Sequence, residues 1–495
     1  MRSFNFESTS FQSKEAAILV GGKSAVVSAS LFYLLTVFFV QAIFLVQFFA
    51  FGVVAVAQSS NAASGLGSGN SGVWIDAFGV LEVITIDDGK LAAKQLDAAR
   101  KSYSQLSQSV MQKSKLRFIS LKQLERAFVN VQGVPTEEMR FLAGLTRVKY
   151  LFYFPDSQEI VIAGPAEGWY PGPEGMMVGR TTGTPICELQ DLVVALRAFA
   201  PNKEPVDVVG CSIDPTSEGN ANLQRYLKSN RPDQNRLNVF VEGLQRSLGL
   251  QTIRVDGVPS TTHAARVMVA ADYRMKLIGI GLEKKPSGVN ITTFIAKSSL
   301  SPQSINRLHR WYFVPDYHSV IMSADKTGIE LVGDGVKLVT EEEVVDAITG
   351  KRTATKNASD NASLEFTRSF TSQYPKIAKK LLVYAQLRNF IDMLVCAAHI
   401  QREDFYTKSE WTMDVFGNED KYAVQTYQMP KYVLPAVNYK FENGRIGFPI
   451  GGVEIEPTAA LSKENAKFEN ETKKPITQLQ NKIKIELKPD QWWWD

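Results

Sequence analysis

An uncharged, apolar segment near the N-terminus constrains this chain more than any other feature of its sequence. No charged residue occurs from Ser24 to Ala57, and the stretch 31–51 is dominated by Leu, Phe and Val. A helix of that length can cross a bilayer. The segment ends in Ala-Val-Ala at 55–57, the small residues that signal peptidase requires before its cleavage site. Residues 1–57 therefore predict export, as a cleaved signal peptide or as an uncleaved membrane anchor.

The segment that follows is a tether. Residues 58–72 are rich in Ser, Gly and Asn and too polar to fold alone. We therefore expect the folded part to begin at Val73, with a first lobe at 73–258 and a second lobe at 259–410. The remainder, 411–495, turns rich in Lys, Glu and Asn from Glu456 onward and predicts a partly disordered C-terminal extension. Within it, the alternating residues 483–487 predict an edge strand, and Trp492 to Trp494 require a partner.

One sequence pattern occurs twice. Phe-Tyr-Phe-Pro-Asp at 152–156 precedes an apolar run at 160–162, and Tyr-Phe-Val-Pro-Asp at 312–316 precedes another at 320–322. A Pro-Asp turn between two apolar runs is typical of a hairpin, and each copy follows a predicted helix. The fold class predicted is therefore α+β, with two related helix-plus-hairpin lobes. A chance similarity of two turns is the alternative.

Periodicity predicts several further elements. Helices are expected at 187–199, 219–229, 236–248 and 261–278, and strands near 206–211 and 251–255. Ser120 and Gln123 form a capping box that predicts a helix start. Pro375 is expected to open a long helix to about 403 that is apolar on nearly every side, as a buried central helix would be.

Composition excludes several functions. The 495 residues carry 55 Lys and Arg against 51 Asp and Glu, a net charge of +4 that does not indicate nucleic-acid binding. Three Cys and four His are too few for a Cys/His metal array. The chain has no HExxH, CxxC, GxSxG or Walker-type motif, so no metal or cofactor is predicted. A binding or structural role is favoured over an enzyme.

One stretch has a marked charge asymmetry. From Lys90 to Arg126 the sequence holds nine basic residues against Asp97 and Glu125. Such a run is typical of a solvated helical face. The alternative is a basic patch for an anionic surface such as phospholipid.

The glycine-rich loop 164–183 is the best candidate for a binding site. Long loops inside compact domains often serve in binding. Trp169 and Tyr170 offer stacking faces, while Glu167 and Arg180 offer charge. Aromatic rings with carboxylates suit a sugar, and Glu167 with Glu174 is a candidate glycosidase pair. A structural loop packed by its own aromatic residues is the alternative.

The cysteines suggest a disulfide and a second candidate site. Cys187 and Cys211 lie in the first lobe, and an exported protein meets an oxidising compartment, so we expect a Cys187–Cys211 disulfide. Cys396 would be free. Arg388, Asp392, Cys396 and His399 follow helical spacing and share one face, with the residue types of a Cys-His-Asp nucleophile system. A buried polar seam is the alternative.

A candidate anion site lies at the start of a predicted helix. His263 and Arg266 follow Ser-Thr-Thr at 260–262, which caps the helix. Free N–H groups at a helix N-terminus, helped by Arg266, favour an anion. A capped helix with a solvated polar face is the alternative.

Several phrases of the sequence resemble one family. They are Ala-Gly-Pro-Ala-Glu-Gly-Trp at 163–169, Cys-Ser-Ile-Asp-Pro-Thr at 211–216, the helix at 263–276, Phe-Val-Pro-Asp at 313–316 and the stretch 330–338. Together they resemble an uncharacterised family of exported planctomycete proteins, domain of unknown function 1598. The resemblance implies a bacterial envelope setting and brings no activity or catalytic residue. The sequence thus predicts an exported envelope protein, periplasmic or membrane-anchored, that binds or organises a protein or glycan. An envelope hydrolase using the loop 164–183 or the Cys396/His399 face is the alternative.

Export generates the first testable prediction. Mature protein isolated from its own cells should begin at Gln58, because signal peptidase cleaves after Ala-Val-Ala. Mass spectrometry of the N-terminal peptide measures this directly. A native N-terminal peptide that includes Phe51 would instead establish the uncleaved anchor.

Overall fold

The part of the chain that can be described begins at the predicted folded region. The computed structural model describes residues 73–75, 80–83, 106–172, 176–297, 307–317, 319–345, 352–354, 361–440 and 445–495. The predicted signal or anchor helix, the tether and Glu174 lie outside the described residues, as do Lys90 to Lys101 of the basic run.

Thirteen helices are found in the described ranges, joined by one-turn 3-10 helices at Leu142–Gly144 and Gln234–Arg236. They are α1 (Gln108–Met111), α2 (Leu121–Asn130), α3 (Glu137–Arg140), α4 (Leu189–Ala198), α5 (Ser217–Ser229), α6 (Leu237–Leu248), α7 (His263–Gly279), α8 (Phe294–Lys297), α9 (Asn361–Lys380), α10 (Leu382–Arg402), α11 (Phe405–Lys408), α12 (Pro457–Ala460) and α13 (Pro475–Lys482).

The strands of the described residues form two large sheets and two short hairpins. They are β1 (Val73–Ile75), β2 (Val80–Val83), β3 (Ser114–Ser120), β4 (Tyr150–Phe154), β5 (Glu159–Ala166), β6 (Trp169–Pro171), β7 (Met177–Gly179), β8 (Val209–Asp214), β9 (Gln251–Asp256), β10 (Arg307–Asp316), β11 (Ser319–Met322), β12 (Gly328–Val332), β13 (Gly335–Val345), β14 (Arg352–Ala354), β15 (Tyr432–Val433), β16 (Asn438–Lys440), β17 (Arg445–Gly447), β18 (Ile450–Ile455), β19 (Ala466–Phe468) and β20 (Trp493–Trp494).

This mixture of helices and sheets confirms the predicted α+β class, and local signals place most helices correctly. The Ser120 hydroxyl accepts from Gln123 N and begins α2, as the capping box predicts. Gly249 ends α6 with φ 66°, a backbone conformation that glycine adopts without strain. Pro375, however, lies inside α9, and the chain breaks at Leu381 before α10 begins.

The first sheet has the order β1-β2-β15-β9-β8-β18-β10-β13-β14. Strand β18, next to the central strand β8, runs antiparallel to β8 and parallel to β10. Two glycines allow this close approach, because a Cβ at Gly451 would stand 1.8 Å from Trp311 O and a Cβ at Gly452 would stand 1.8 Å from Cys211 O. A strand from the C-terminal part of the chain thus joins strands from both predicted lobes.

The second sheet has the order β19-β11-β12-β4-β5-β3-β20. Strands β4 and β5 pair antiparallel from Tyr150 to Ala163, which confirms the first predicted hairpin. The second predicted hairpin, at 311–323, is wrong. Strand β10 pairs with β13 and β18 in the first sheet, whereas β11 pairs with β12 and β19 in the second. The Pro-Asp turn at 315–316 therefore carries the chain between sheets.

Both sheets combine strands from before and after residue 259, and contacts group Ser68–Asp495 into one unit. The lobe boundaries at 73–258, 259–410 and 411–495 stay a prediction.

The C-terminal tryptophans find their partners inside the fold. Strand β20 pairs with β3, and Trp492 is buried. The fully buried guanidinium of Arg117 lies 4.5 Å from the Trp493 ring, and its Nε and Nη2 donate to Asp495 at 2.7 and 2.9 Å. The predicted edge strand at 483–487 is wrong, because these residues have no strand structure.

The burial of Arg117 also bears on the basic run. Lys122, on α2, is buried too and donates to the carbonyl of Ser409. In the described part of the run, two basic residues, Arg117 and Lys122, are therefore buried. Lys113, Lys115 and Arg126 are exposed. A basic docking patch gains no support from these residues.

Helix α10 is the buried central helix that its apolar sequence predicts. It packs against α4, α7, α9 and α12, and almost all its residues from Val383 to Ile400 are buried. Within the described residues, no single helix has the length and apolar composition to span a membrane. The pair α9 and α10, bent by 108°, meets those criteria only when both helices are counted together.

A buried ion pair joins α7 to the first sheet. Lys276 Nζ donates to Asp272 Oδ2 at 2.8 Å, to Gly451 O on β18 at 3.1 Å and to Ile213 O on β8 at 3.3 Å. Both side chains are buried almost completely. Burial raises the pKa of Asp272 to about 6, although Lys276 opposes this effect.

Replacing Lys276 should therefore be costly in a pH-dependent way. We expect Lys276→Met to lower the free energy of unfolding by about 3–5 kcal/mol at pH 7, because Asp272 loses its counter-ion. The loss should shrink toward pH 4. A protonated Asp272 needs no counter-ion, and a carboxyl with a raised pKa in the folded state is stabilising only at low pH. Denaturant unfolding at both pH values measures this effect.

The double variant Lys276→Met/Asp272→Leu is the control and should recover most of the lost stability, because it removes both charges. A loss that is equal at pH 4 and pH 7 would contradict the assigned role of Asp272.

Candidate functional site

Three titratable side chains meet where α4 and α7 begin. The Nδ1 atom of His263 lies 2.9 Å from Asp191 Oδ2, and its Nε2 atom lies 3.9 Å from Glu188 Oε1. All three residues are buried: His263 is 2 % exposed, Asp191 7 % and Glu188 9 %. We call these three residues the acid–histidine cluster.

Local structure places each member of the cluster. The hydroxyl of Thr262 accepts from Ala265 N and begins α7, so His263 is its first residue. Just before α4, Cys187 N donates a hydrogen bond of 2.7 Å to Leu145 O, which holds this segment close to the second sheet. Glu188 takes the N-cap position of α4, and Asp191 lies in its first turn. An acidic residue there interacts favourably with the helix dipole.

Charge within the cluster controls protonation of the imidazole. Burial alone lowers the pKa of His263, but the charges of Asp191 and Glu188 outweigh it and raise the pKa to about 9. The imidazole is therefore protonated at neutral pH and donates from both nitrogens. On its far side stands Gln386, with Nε2 at 3.4 Å from His263 Nε2 and with an Oε1 that has no partner among the described residues. Turning this amide lets Oε1 accept from the imidazolium.

Glu188 is the member of the cluster that lines a cleft. Burial raises the pKa of Glu188, partly offset by the positive charge of His263. Gln190 Nε2 donates to its Oε2 at 2.5 Å and lies 3.1 Å from the hydroxyl of Tyr427. A carboxyl with a shifted pKa at the edge of a cleft is a candidate for binding a ligand.

Glu188 opens into a cleft of about 430 Å³. That volume lies within the usual range for small-molecule sites. Its lining comes from three distant segments and combines aromatic, charged and amide side chains: Phe128, Gly133, Pro135, Arg140, Phe141, Glu188, Gln190, Asp420, Lys421, Tyr422, Ala423 and Gln425.

Both walls of the cleft are held by buried polar groups. Arg197 on α4 donates from Nε to Phe416 O at 2.7 Å and from Nη2 to Tyr422 O at 2.6 Å. On α2, the buried carboxylate of Glu125 accepts from the backbone of Phe416 at 2.7 Å. The loop that carries Tyr422 is therefore positioned before any ligand arrives.

The predicted loop 164–183 supports this cleft from behind. Trp169 is buried, and its ring packs against Phe141, which lines the cleft, at 5.8 Å between centroids. Glu167 is 2 % exposed and accepts from Thr181 N at 2.9 Å and from Thr182 N at 3.0 Å. Burial alone raises the pKa of Glu167, but these hydrogen bonds lower it overall.

Glu167 therefore fixes the turn at 180–183 and is not a proton donor. Tyr170 is half-buried on β6, which pairs with β7, and Arg180 is exposed. None of the described residues of the loop lines the cleft, so its role in binding stays a prediction.

The predicted anion site is occupied by the protein's own carboxylates. His263 contacts Asp191 and Glu188, as described above, and the guanidinium of Arg266 lies 5.1 Å from the Tyr427 ring. The structure brings His263 and Arg266 to one helix end, as predicted, but gives no support to a bound anion there.

The predicted Cys187–Cys211 disulfide is wrong, because all three cysteines are free, buried thiols. The prediction assumed that the helix after Cys187 covers the strand with Cys211. Instead α7 packs on β8, while α4 packs mainly on α10.

The Cys396/His399 face does not form a nucleophile system. Burial raises the pKa of the Cys396 thiol and lowers the pKa of His399 to about 4. His399 Nε2 lies 3.1 Å from Lys326 O, and Asp392 is bound by Arg147 at 2.7 Å. The side chains share a helix face, as predicted, but His399 and Asp392 bond to other elements, as in the buried polar seam of the alternative.

Two further clefts among the described residues are not lined by any member of the acid–histidine cluster. One, of about 330 Å³, lies beside Tyr312 and Glu454, and another, of about 480 Å³, lies beside Leu250 and Leu434. No group of His, Cys, Asp and Glu in the described part of the chain could hold a metal ion. The cleft at Glu188 is therefore the best candidate site.

The family comparison covers part of this site. Residues 211–291 match the model of a family described as protein of unknown function (DUF1598). The resemblance to that family is confirmed over this segment. It runs from β8 through α7 and includes His263 and Lys276, while Glu188 and Asp191 lie outside it. No curated protein and no solved structure matches the chain.

The His263–Asp191 contact generates a stability prediction. Asp191→Asn should lower the free energy of unfolding by about 3 kcal/mol near pH 6, because a buried imidazolium loses its carboxylate. A histidine pKa raised from 6.5 to about 9 stabilises the fold fully below pH 6.5, and this contribution disappears as the pH rises through 9. The deficit of the variant should therefore narrow between pH 6.5 and 9.

Denaturant titrations of both proteins across this range measure the difference. A deficit that does not change with pH would show that His263 is neutral throughout.

Proposed function

We propose that this chain is an exported envelope protein that binds a glycan fragment in the cleft beside Glu188. Export rests on the uncharged segment 24–57 and its Ala-Val-Ala end. The single observation that supports binding is the cleft itself, where aromatic and polar groups from three distant segments meet a buried acid–histidine cluster. A protein or membrane partner would instead favour an extended aromatic or basic face on this chain.

The chemistry of the lining favours a saccharide. Phe141 is half-buried and offers a ring to the apolar face of a sugar, backed by Trp169. Gln190, Gln425 and Arg140 provide donors and acceptors that match hydroxyl and acetamido groups. Few positioned polar groups on a partly apolar wall are typical of small-ligand sites.

Glu188 would orient the ligand. Its carboxyl lines the cleft and accepts a hydrogen bond from a sugar hydroxyl. Asp191 and His263 lie behind it and keep a fixed charge pair against its inner side. The ligand therefore meets a positioned acceptor whose surroundings need little rearrangement on binding.

The hydrolase alternative gains less support. Hydrolysis through Glu167 requires a carboxyl that can release or accept a proton, and this one is bound by Thr181 and Thr182. The thiol of Cys396 is buried, and burial raises its pKa. Glu188 supplies only one of the two carboxyl groups that glycoside hydrolysis needs.

Calorimetric titration with N,N′-diacetylchitobiose, and with cellobiose for comparison, tests the proposal. Glu188→Ala should weaken binding about tenfold or more, because it removes a hydrogen bond from a partly desolvated site. Glu188→Gln should keep part of the affinity, since the amide retains an acceptor oxygen in the same position but loses the charge. Glu242→Ala, on the exposed face of α6, is the matched control and should bind like the unaltered protein.

Equal affinity in Glu188→Ala and the control would exclude this cleft as the site. Absence of heat with both sugars would show that the ligand is not a saccharide of this class.

A further inference from the structure

A second charged cluster lies on the other side of α10, under the turn from Gly333 to Gly335. Asp392 accepts from Arg147 Nε at 2.7 Å, from Arg147 Nη2 at 3.3 Å and from the Tyr317 hydroxyl at 3.0 Å. The remaining Arg147 nitrogen, Nη1, donates to Gly333 O at 2.9 Å. Arg147 and Asp392 therefore satisfy each other and fix the turn above them.

Arg388 brings a second positive charge to the same place. It precedes Asp392 by one helical turn, the spacing of an i,i+4 ion pair, yet both oxygens of Asp392 are already bound by Arg147 and Tyr317. Its Nε is buried and has no acceptor among the described residues. Two guanidinium groups thus share one buried carboxylate.

A guanidinium whose Nε is buried without an acceptor is costly, since nothing replaces the lost hydration of that N–H group. Burial and the nearby charge of Arg147 lower the pKa of Arg388, and the charge of Asp392 opposes them. The other groups around Arg388 are the thiol of Cys187 and the hydroxyl of Tyr374, and burial raises the pKa of each, so neither supplies a negative charge at neutral pH. Asp334, in the turn, is exposed and lies beside Arg147.

We propose that Arg388 binds a small oxyanion, a carboxylate or phosphate group, beside the Arg147–Asp392 pair. The planar guanidinium fork matches two oxygens of either group and is well suited to bidentate binding. Arg388 is only partly buried, which leaves a small solute a path to it. Arg147, held by Asp392 and Gly333, contributes a fixed positive field without needing to move.

The turn packs closely on this cluster. Gly335 has φ 80°, and a Cβ there would stand 3.2 Å from Arg388 Cγ and 3.3 Å from Arg147 Nη2 and from Asp392 Oδ1. Glycine at this position therefore lets the turn lie directly against the arginine side chains. The proposal is independent of the cleft at Glu188, because it involves different side chains and a different ligand chemistry.

Equilibrium titration of the full chain with inorganic phosphate, with acetate and with chloride at matched ionic strength tests the proposal. We expect saturable binding of phosphate or acetate, a higher unfolding midpoint in the bound state, and no such effect with chloride. Arg388→Gln should weaken oxyanion binding about tenfold or more, the usual effect of losing a charge-assisted hydrogen bond. Preference for acetate identifies a carboxylate ligand, and preference for phosphate identifies a phosphate ligand.

Two variants make the result specific. Arg388→Lys keeps the charge but loses the fork, so it should bind more weakly than the unaltered protein and more tightly than Arg388→Gln. Arg368→Gln removes one positive charge from an exposed position on α9 and should leave binding unchanged. No saturable oxyanion binding by the unaltered protein, or equal binding by Arg388→Gln, would overturn the proposal.

Discussion

The ammonium group of Lys276 is the interaction on which the architecture depends. It donates to a carbonyl on β8, to a carbonyl on β18 and to Asp272 on its own helix, so it fixes α7 against two neighbouring strands at once. Strand β18 comes from the C-terminal part of the chain, while β8 comes from the first half. Three acceptors surround the ammonium group and compensate its buried charge. Removing the ammonium group would leave these three acceptors buried without a hydrogen-bond donor.

The position of α7 determines the site at its other end. Lys276 holds the C-terminal half of the helix on the sheet, and His263 is the first residue of the same helix. The imidazole therefore reaches Asp191 and Glu188 because the rest of the helix cannot shift along the sheet. The loop that forms one wall of the cleft is tied to the same helix start by a hydrogen bond of 2.8 Å from Tyr427 N to Thr261 O.

Local signals predicted much of the secondary structure and little of the strand pairing. The capping box at Ser120, the apolar run of α10 and the first hairpin all depend on residues close in sequence, and all three are confirmed. The second hairpin failed because β18 pairs with β10 from a distant part of the chain and needs Gly451 to approach it. The Pro-Asp turn therefore closes a hairpin at 155–156, whereas at 315–316 it connects a strand of the first sheet to a strand of the second.

The site was predictable only in part for the same reason. The sequence predicts a binding role for His263 from its place at a helix start and for Trp169 from its aromatic ring. Both residues lie just behind the cleft. Glu188 and Asp191 lie one turn apart at the start of α4, which is a readable signal for an acidic helix terminus. Their meeting with His263, which follows Asp191 by 72 residues, depends on how α4 and α7 pack.

Hydrogen-bond satisfaction separates the buried charges that build this fold from the one that points to a ligand. Lys276 and Arg117 each meet several acceptors, and Arg147 donates to both oxygens of Asp392 and to Gly333 O. Arg388 lies on the same buried helix as Gln386, yet its Nε has no acceptor among the described residues. An oxyanion from solution would supply the missing acceptor and complete the cluster.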